Sequence, residues 1–88
     1  MNAIRIPIED VIDLHTFRPA EIPELIEDYI DECIRAGLTS VRIIHGKGTG
    51  VVRDRVQRLL GRDTRVQSHA FAPSNQGGTG ATVAELKS

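Results

Sequence analysis

An 88-residue chain has material for one domain and one modest core, which excludes a bilobal enzyme. A net charge of -1 and a pI near 6.3 do not announce a nucleic-acid binder, and a single cysteine, Cys33, excludes an intramolecular disulfide. No apolar run approaches the ~20 residues of a membrane span, and no basic-then-apolar leader opens the sequence, so a soluble, cytoplasmic monomer with no membrane partner is expected.

Met1 to Asp10 alternates Ile4, Ile6 and Ile8 with Arg5 and Pro7, which predicts an extended N-terminal arm (1–10) ahead of a domain over 11–88. Val11-Ile12-Asp13-Leu14-His15 predicts the first strand. Its period-two alternation sends Ile12 and Leu14 to one face and Val11, Asp13 and His15 to the other. A helix then begins near Pro19 or near Pro23, since proline suits the first helical position. Ile22, Leu25, Ile26, Tyr29, Ile30, Cys33 and Ile34 form its apolar stripe, and Gly37 stops it.

Ser40 to His45 predicts the second strand, with Val41, Ile43 and His45 on one face. His45-Gly46-Lys47-Gly48-Thr49-Gly50 follows, and a second helix runs from about Gly50 to Leu60, capped by Thr49 or Gly50 and ended by Gly61. This helix is expected to bury Val52, Val56, Leu59 and Leu60. Glycines leave backbone N–H groups uncovered, and the positive end of a helix dipole points the same way, so Gly46, Lys47, Gly48, Thr49 and Gly50 are candidates for holding a phosphate. The spacing fits neither the Walker loop nor the dinucleotide fingerprint. Gly48 is expected to need a positive φ or a closely approaching ligand. Arg53 stands in the first turn of the helix, and Arg55, Arg58 and Arg62 form one basic ridge at i, i+3, i+7 spacing.

Thr64 to Ala72 predicts a third strand ended by Pro73, Ser74 to Gly80 a long flexible loop, and Ala81 to Leu86 the last strand. Right-handed crossovers make the first two strands parallel, so His15 and His45 come to one sheet edge, where open α/β sheets place their ligands. Charge is divided: six acids oppose the single base Arg35 between Ala20 and Gly37, and seven bases oppose two acids between Arg42 and Arg65. Such a field steers polyanions, although both runs also suit solvated helix faces. Phe17, Tyr29 and Phe71 are too few for a base-stacking sheet.

Three motifs, Asp13-Leu14-His15, His45 to Gly50, and Gly77-Gly78-Thr79-Gly80-Ala81-Thr82-Val83, occur in an order that resembles a Smr domain, the small MutS-related domain. The resemblance covers the chain from Val11 onward. It implies an α/β chain of the α+β two-layer type, βαβαββ, with a mixed four-stranded sheet and two helices, like the C-terminal domain of translation initiation factor three. It also implies a nicking or RNA-cleaving endonuclease whose D-x-H motif is Asp13 and His15 and whose H-G-x-G loop is His45 to Gly48. Gly78 and Gly80 of the third motif join the phosphate-binding candidates. The family commonly has glycine after D-L-H; here Thr16 adds a side chain beside His15.

On this reading His15 is the general acid or base, oriented by Asp13. Side chains at i and i+2 on a strand stand about 6.5–7 Å apart at the backbone, so contact needs favourable rotamers or a bridging water. The structural alternative has Asp13 paired with an arginine and His15 capping the first helix. Lys47 would hold the scissile phosphate and its developing charge, and His45 either transfers a second proton or braces the loop. No histidine pair has the spacing of a helical zinc site, so no metal site and no required cofactor are expected, although Asp13 offers a place for a loosely held divalent cation. The alternative function is a non-catalytic module gripping the DNA or RNA backbone.

Overall fold

Both prolines that compete for the first helix start are used. The structure, a computed structural model, describes residues 8–87. In it Pro19 opens a 3-10 turn (Pro19–Glu21) whose Glu21 carboxylate accepts the Arg18 N–H at 2.8 Å, and α1 (Ile22–Arg35) follows with Pro23 in its first turn. Ile22, Ile26, Tyr29, Ile30 and Cys33 are buried, and each isoleucine contributes about 2 kcal/mol by leaving water. Gly37, at φ +81°, ends the helix: the Leu38 N–H reaches the Cys33 carbonyl at 2.9 Å and the Gly37 N–H that of Ile34 at 3.0 Å. Burial pushes the Cys33 thiol above its ordinary pKa, so this core residue stays protonated.

The arm expected over Met1 to Asp10 lies mostly outside the described residues. Of its C-terminal part, Ile8 packs against the core, the Glu9 carbonyl accepts the Tyr29 hydroxyl at 2.7 Å, and the Asp10 carbonyl accepts the Arg42 N–H at 2.7 Å.

The sheet order is β1-β2-β4-β3, with β1 (Val11–Asp13) parallel to β2 (Ser40–Ile44) and β4 (Ala81–Leu86) antiparallel to both β2 and β3 (Val66–Phe71). The C-terminal ends of β1, β2 and β3 therefore meet the start of β4 at one edge. α1 and α2 (Val51–Arg62) cover one face, burying Leu14, Val41, Ile43, Val56, Leu60, Ala84 and Leu86 in a common core. This is the α+β sandwich expected, two helices on a mixed four-stranded sheet. No helix among the described residues is long and apolar enough to cross a membrane.

Several boundaries differ from expectation. β1 ends at Asp13, because the chain bends where the Asp13 carboxylate takes the His15 N–H at 3.0 Å, and β2 stops one residue short of His45. β3 starts at Val66, because the Asp63 carboxylate similarly takes the Arg65 N–H at 2.9 Å and turns residues 63–65. α2 continues through Gly61 to Arg62; a Cβ at Gly61 would sit 3.7 Å from Nε2 of His69, so this position packs against β3 instead of ending the helix. Residues 74–80 are two 3-10 turns (Ser74–Gln76 and Gly78–Gly80), not a flexible loop. The Pro73 carbonyl accepts the N–H groups of Gln76 (2.8 Å) and Gly78 (3.0 Å), and positive φ at Gly77 and Gly78 makes that closure possible.

Candidate active site

Asp13 and His15 touch directly. The bend after β1 brings the His15 ring back over the strand end, so that Asp13 Oδ1 accepts the His15 backbone N–H at 3.0 Å and its ring Nδ1–H at 2.8 Å. The backbone N–H first, and then the ring, hold the Asp13 carboxyl below its ordinary pKa. The His15 side chain is 75% exposed, and its Nε2 has no partner among the described residues. No described arginine pairs with Asp13, and the turn that opens α1 is closed by Glu21 on Arg18, not by His15. Thr16 is exposed, and no described residue other than glycine has a positive φ, so threonine is accommodated there without backbone strain.

The two glycine motifs, separated in the chain by residues 51–76, form one unit. The Gly80 carbonyl accepts the N–H groups of both His45 (3.0 Å) and Gly46 (2.8 Å), tying the loop after β2 to the turn before β4. A Cβ on Gly80 would lie 3.3 Å from Cγ of Lys47 and 3.7 Å from the Gly46 carbonyl carbon, so glycine is what lets the two backbones approach. The left-handed residues are Gly46 (φ +83°) and Gly50 (φ +86°). Gly48 is not left-handed and a Cβ there would meet nothing within 4 Å, which corrects the expectation of a positive φ at this position. The left-handed residues thus stand at the exit from β2 and at the entry to α2, with open space beside Gly48 between them.

Gly50 is the residue that caps α2. Thr49 Oγ1 stands 3.5 Å from the Val51 N–H, too far to close that end, and so the first-turn N–H groups of α2 lack a side-chain cap. Lys47 is exposed in the loop that leads to them, its Cγ against Gly80. An anion of phosphate size suits such a terminus.

His45 is held differently from His15. Its Nδ1 lies 3.0 Å from the Gly46 carbonyl oxygen and its Nε2 2.8 Å from the Thr82 hydroxyl, which in turn is 2.6 Å from the Gln57 amide nitrogen. Phe71 meets the ring edge-on at 6.4 Å. Strand register explains the separation of the two histidines. Asp13 pairs with Ile44 on the open side of the sheet, whereas Ile43 pairs with Thr82 on the helix side, where His45 also turns. One edge carries both rings, as expected, yet among the described residues no hydrogen bond joins them.

The basic residues divide further. Arg53 folds across Gly50 and pairs with Asp54 at 3.4 Å, and Arg55 donates to the Pro19 carbonyl at 3.3 Å. Arg58 and Arg62 are exposed and line a groove with Pro23, Leu59 and Arg55; among the described residues they have no partner. Arg65, by contrast, is spent on Asp63 (2.8 Å) and Asp31 (3.8 Å), and Arg42 donates to the Gln76 carbonyl at 2.9 Å. The basic half is thus narrower than composition suggests. Among the described residues no three His, Cys, Asp or Glu side chains cluster as a metal site needs.

A family model, the Smr domain, matches residues 12–87. The chain belongs to the Smr domain family. Over 76 residues, 86% of this chain, it is 47% identical to a protein named Endonuclease MutS2 from Lactobacillus johnsonii and 46% identical to one of the same name from Geobacillus thermodenitrificans. It spans about a tenth of the length of these curated relatives. Among solved structures, the Smr domain of Thermus thermophilus MutS2 superposes with a TM-score of 0.84 at 38% identity, covering 89% of this chain and 98% of that one. YdaL, a stand-alone small MutS-related protein from Escherichia coli, gives 0.84 at 29% identity, covering 90% of this chain and 65% of its own.

The roles of two residues of this Smr domain escape a sequence reading: Thr82, which stands in the third motif, and Gln57. The signal for Thr82 is a hydroxyl at a strand position whose neighbours Ala81 and Ala84 are buried; Gln57 offers none, since a glutamine beside Val56 reads as helix surface.

Proposed function

We propose that this Smr domain cleaves phosphodiester bonds in nucleic acid, as an endonuclease of nicking or RNA-cleaving type. The observation that carries the reading is the Asp13–His15 contact: Oδ1 fixes the Nδ1–H side of the ring at 2.8 Å and leaves Nε2 facing solvent. A ring so held takes a proton from an attacking water or hydroxyl at Nε2 and returns it to the leaving oxygen as the P–O bond breaks. Lys47, the α2 N-terminus and the N–H groups of Gly48, Thr49 and Gly50 hold the phosphate and the charge that develops on it. Gly46, Gly78 and Gly80 give the cradle its shape. Arg58 and Arg62, with Arg53 and Arg55 nearer the loop, follow the backbone of the bound strand. The relatives named endonuclease support this assignment.

His15→Ala tests it. Cleavage of single-stranded RNA or supercoiled plasmid should fall by about 10²–10⁴ while affinity stays within a few-fold, because a proton-transfer group adds little to ground-state binding. A variant that cuts like the parent would overturn the assignment of proton transfer to His15, and a parent that binds without cutting would leave only the backbone-gripping module. Cleavage is expected to persist in EDTA; its loss would place a divalent cation at Asp13. Arg58→Ala and Arg62→Ala should each weaken all sequences alike and lower the salt slope by about 1.

A further inference from the structure

Among the described residues Thr82 is the polar one buried in the core, with 0% of its surface exposed, and a hydroxyl there has to be satisfied by protein. Its oxygen lies between Gln57 Nε2 (2.6 Å) and His45 Nε2 (2.8 Å). The direction of every bond in this chain follows from its far end. The Gly46 carbonyl, 3.0 Å from His45 Nδ1, can only accept, so Nδ1 carries a proton. In the neutral ring Nε2 is then an acceptor, the Thr82 O–H donates to it, and the Thr82 oxygen accepts the Gln57 amide N–H. Donors and acceptors alternate without conflict. A doubly protonated ring would turn Nε2 into a donor, and the Thr82 hydroxyl proton would lose its acceptor. The opposite neutral tautomer would set a bare nitrogen lone pair against the Gly46 carbonyl.

We propose that Thr82 and Gln57 are positioning residues that hold His45 as the neutral Nδ1–H tautomer, a clamp on the Gly46 carbonyl instead of a proton-transfer group. Gly46 is then gripped at both ends of its peptide units, its N–H by the Gly80 carbonyl at 2.8 Å and its own carbonyl by His45. That fixes the left-handed turn from which the loop departs. The functional half of this inference rests on the loop being a phosphate cradle; the tautomer half does not. Together they leave His15 as the one imbalance in the pair: the imidazole with a nitrogen open to substrate.

Long-range ¹H–¹⁵N correlation of the imidazoles in the ¹⁵N-labelled chain reads the tautomer directly. His45 should show a protonated-type Nδ1 and an unprotonated-type Nε2; a proton on Nε2 in the parent protein overturns the proposal. Thr82→Val keeps the volume and removes the donor, so the His45 pattern should move toward a tautomer mixture. Affinity for a single-stranded RNA oligonucleotide should fall about five-fold, the order expected of one hydrogen bond. Gln57→Leu should do the same more weakly and guards against a Thr82 variant that fails to fold. The pH–rate profile of either variant should keep its shape, because His45 carries no proton in the reaction; a lost or displaced limb would make His45 a proton carrier and sink the idea. If the parent cuts nothing, the endonuclease reading fails while the tautomer assignment still stands or falls on the spectrum.

Discussion

The turn after β1 and the loop after β2 lie at the same sheet edge, and each begins with a histidine, but they are built on opposite principles. His15 is tied by a single exposed carboxylate and belongs to no packing arrangement. His45 is engaged at both ring nitrogens and is linked through Thr82 to Gln57 on α2 and through Gly46 to Gly80. The first arrangement leaves a group free to react; the second uses the same side chain to hold backbone in place. Residue type alone does not assign chemistry, because hydrogen-bond surroundings decide which nitrogen remains available.

The largest expected effect is a reversal between the two histidines. His15→Ala should remove cleavage and leave the melting temperature nearly unchanged, since its ring makes a single contact, to Asp13, that solvent screens. His45→Ala should lower the melting temperature by at least ~4 °C, because the buried Thr82 hydroxyl loses its acceptor at a cost of about 1–3 kcal/mol. Calorimetry and a cleavage assay on the same two variants check this, and equal melting temperatures would erase the distinction.

A smaller effect separates the glycines. Gly50→Val forces a β-branched residue to φ +86° against the Arg53 side chain, so a loss of about 1–3 kcal/mol is expected in denaturant unfolding. Gly48→Val meets no neighbour and no positive φ, so stability should hold. Only ligand affinity should then drop, if the phosphate occupies the open space beside Gly48. An unfolding midpoint lowered equally by both would mean that Gly48 serves chain geometry.

The smallest effect is in acid. Asp13 and Asp63 both have carboxyls held below the ordinary value of 3.8, Asp13 by the His15 N–H and ring, Asp63 chiefly by the Arg65 guanidinium. A lowered folded-state pKa stabilises the fold above about pH 4, and that stability is lost as pH falls through the depressed values. Asp63→Asn should flatten the acid limb of the stability curve, because this carboxylate is mostly shielded and closes the turn into β3. Asp13→Asn should flatten it less, since solvent screens its half-exposed side chain. The reverse order would show that the His15 turn carries more of the fold than its exposure implies.

The elements and their order are legible in the sequence, because each depends on local rules. A 3.6-residue stripe from Ile22 to Ile34, glycine at 37, and alternation from Ala81 to Leu86 act within a few residues, and the first helix and last strand stand where those signals put them. The catalytic and phosphate candidates were visible for the same reason: Asp13-x-His15 and the glycine loop are contiguous. Boundaries moved wherever a side chain bonded backbone two residues on, as Asp13 and Asp63 do, and Gly61 stayed helical because β3 packs against it.

What the sequence by itself determined, then, is two helices on a mixed sheet, the edge at which both histidines arrive, and the motifs that mark a Smr domain. Only the tertiary structure decided which glycines turn the chain, which arginines remain unpaired, and that His45 is bonded to Thr82, whose hydroxyl oxygen in turn accepts from Gln57. Those facts depend on residues 12 to 37 positions apart meeting in space, as Gln57, Thr82 and His45 do across α2, β4 and the end of β2. Periodicity reports which face a residue takes; it carries no record of which partner waits there, because that is fixed by the register of strands joined through the rest of the fold.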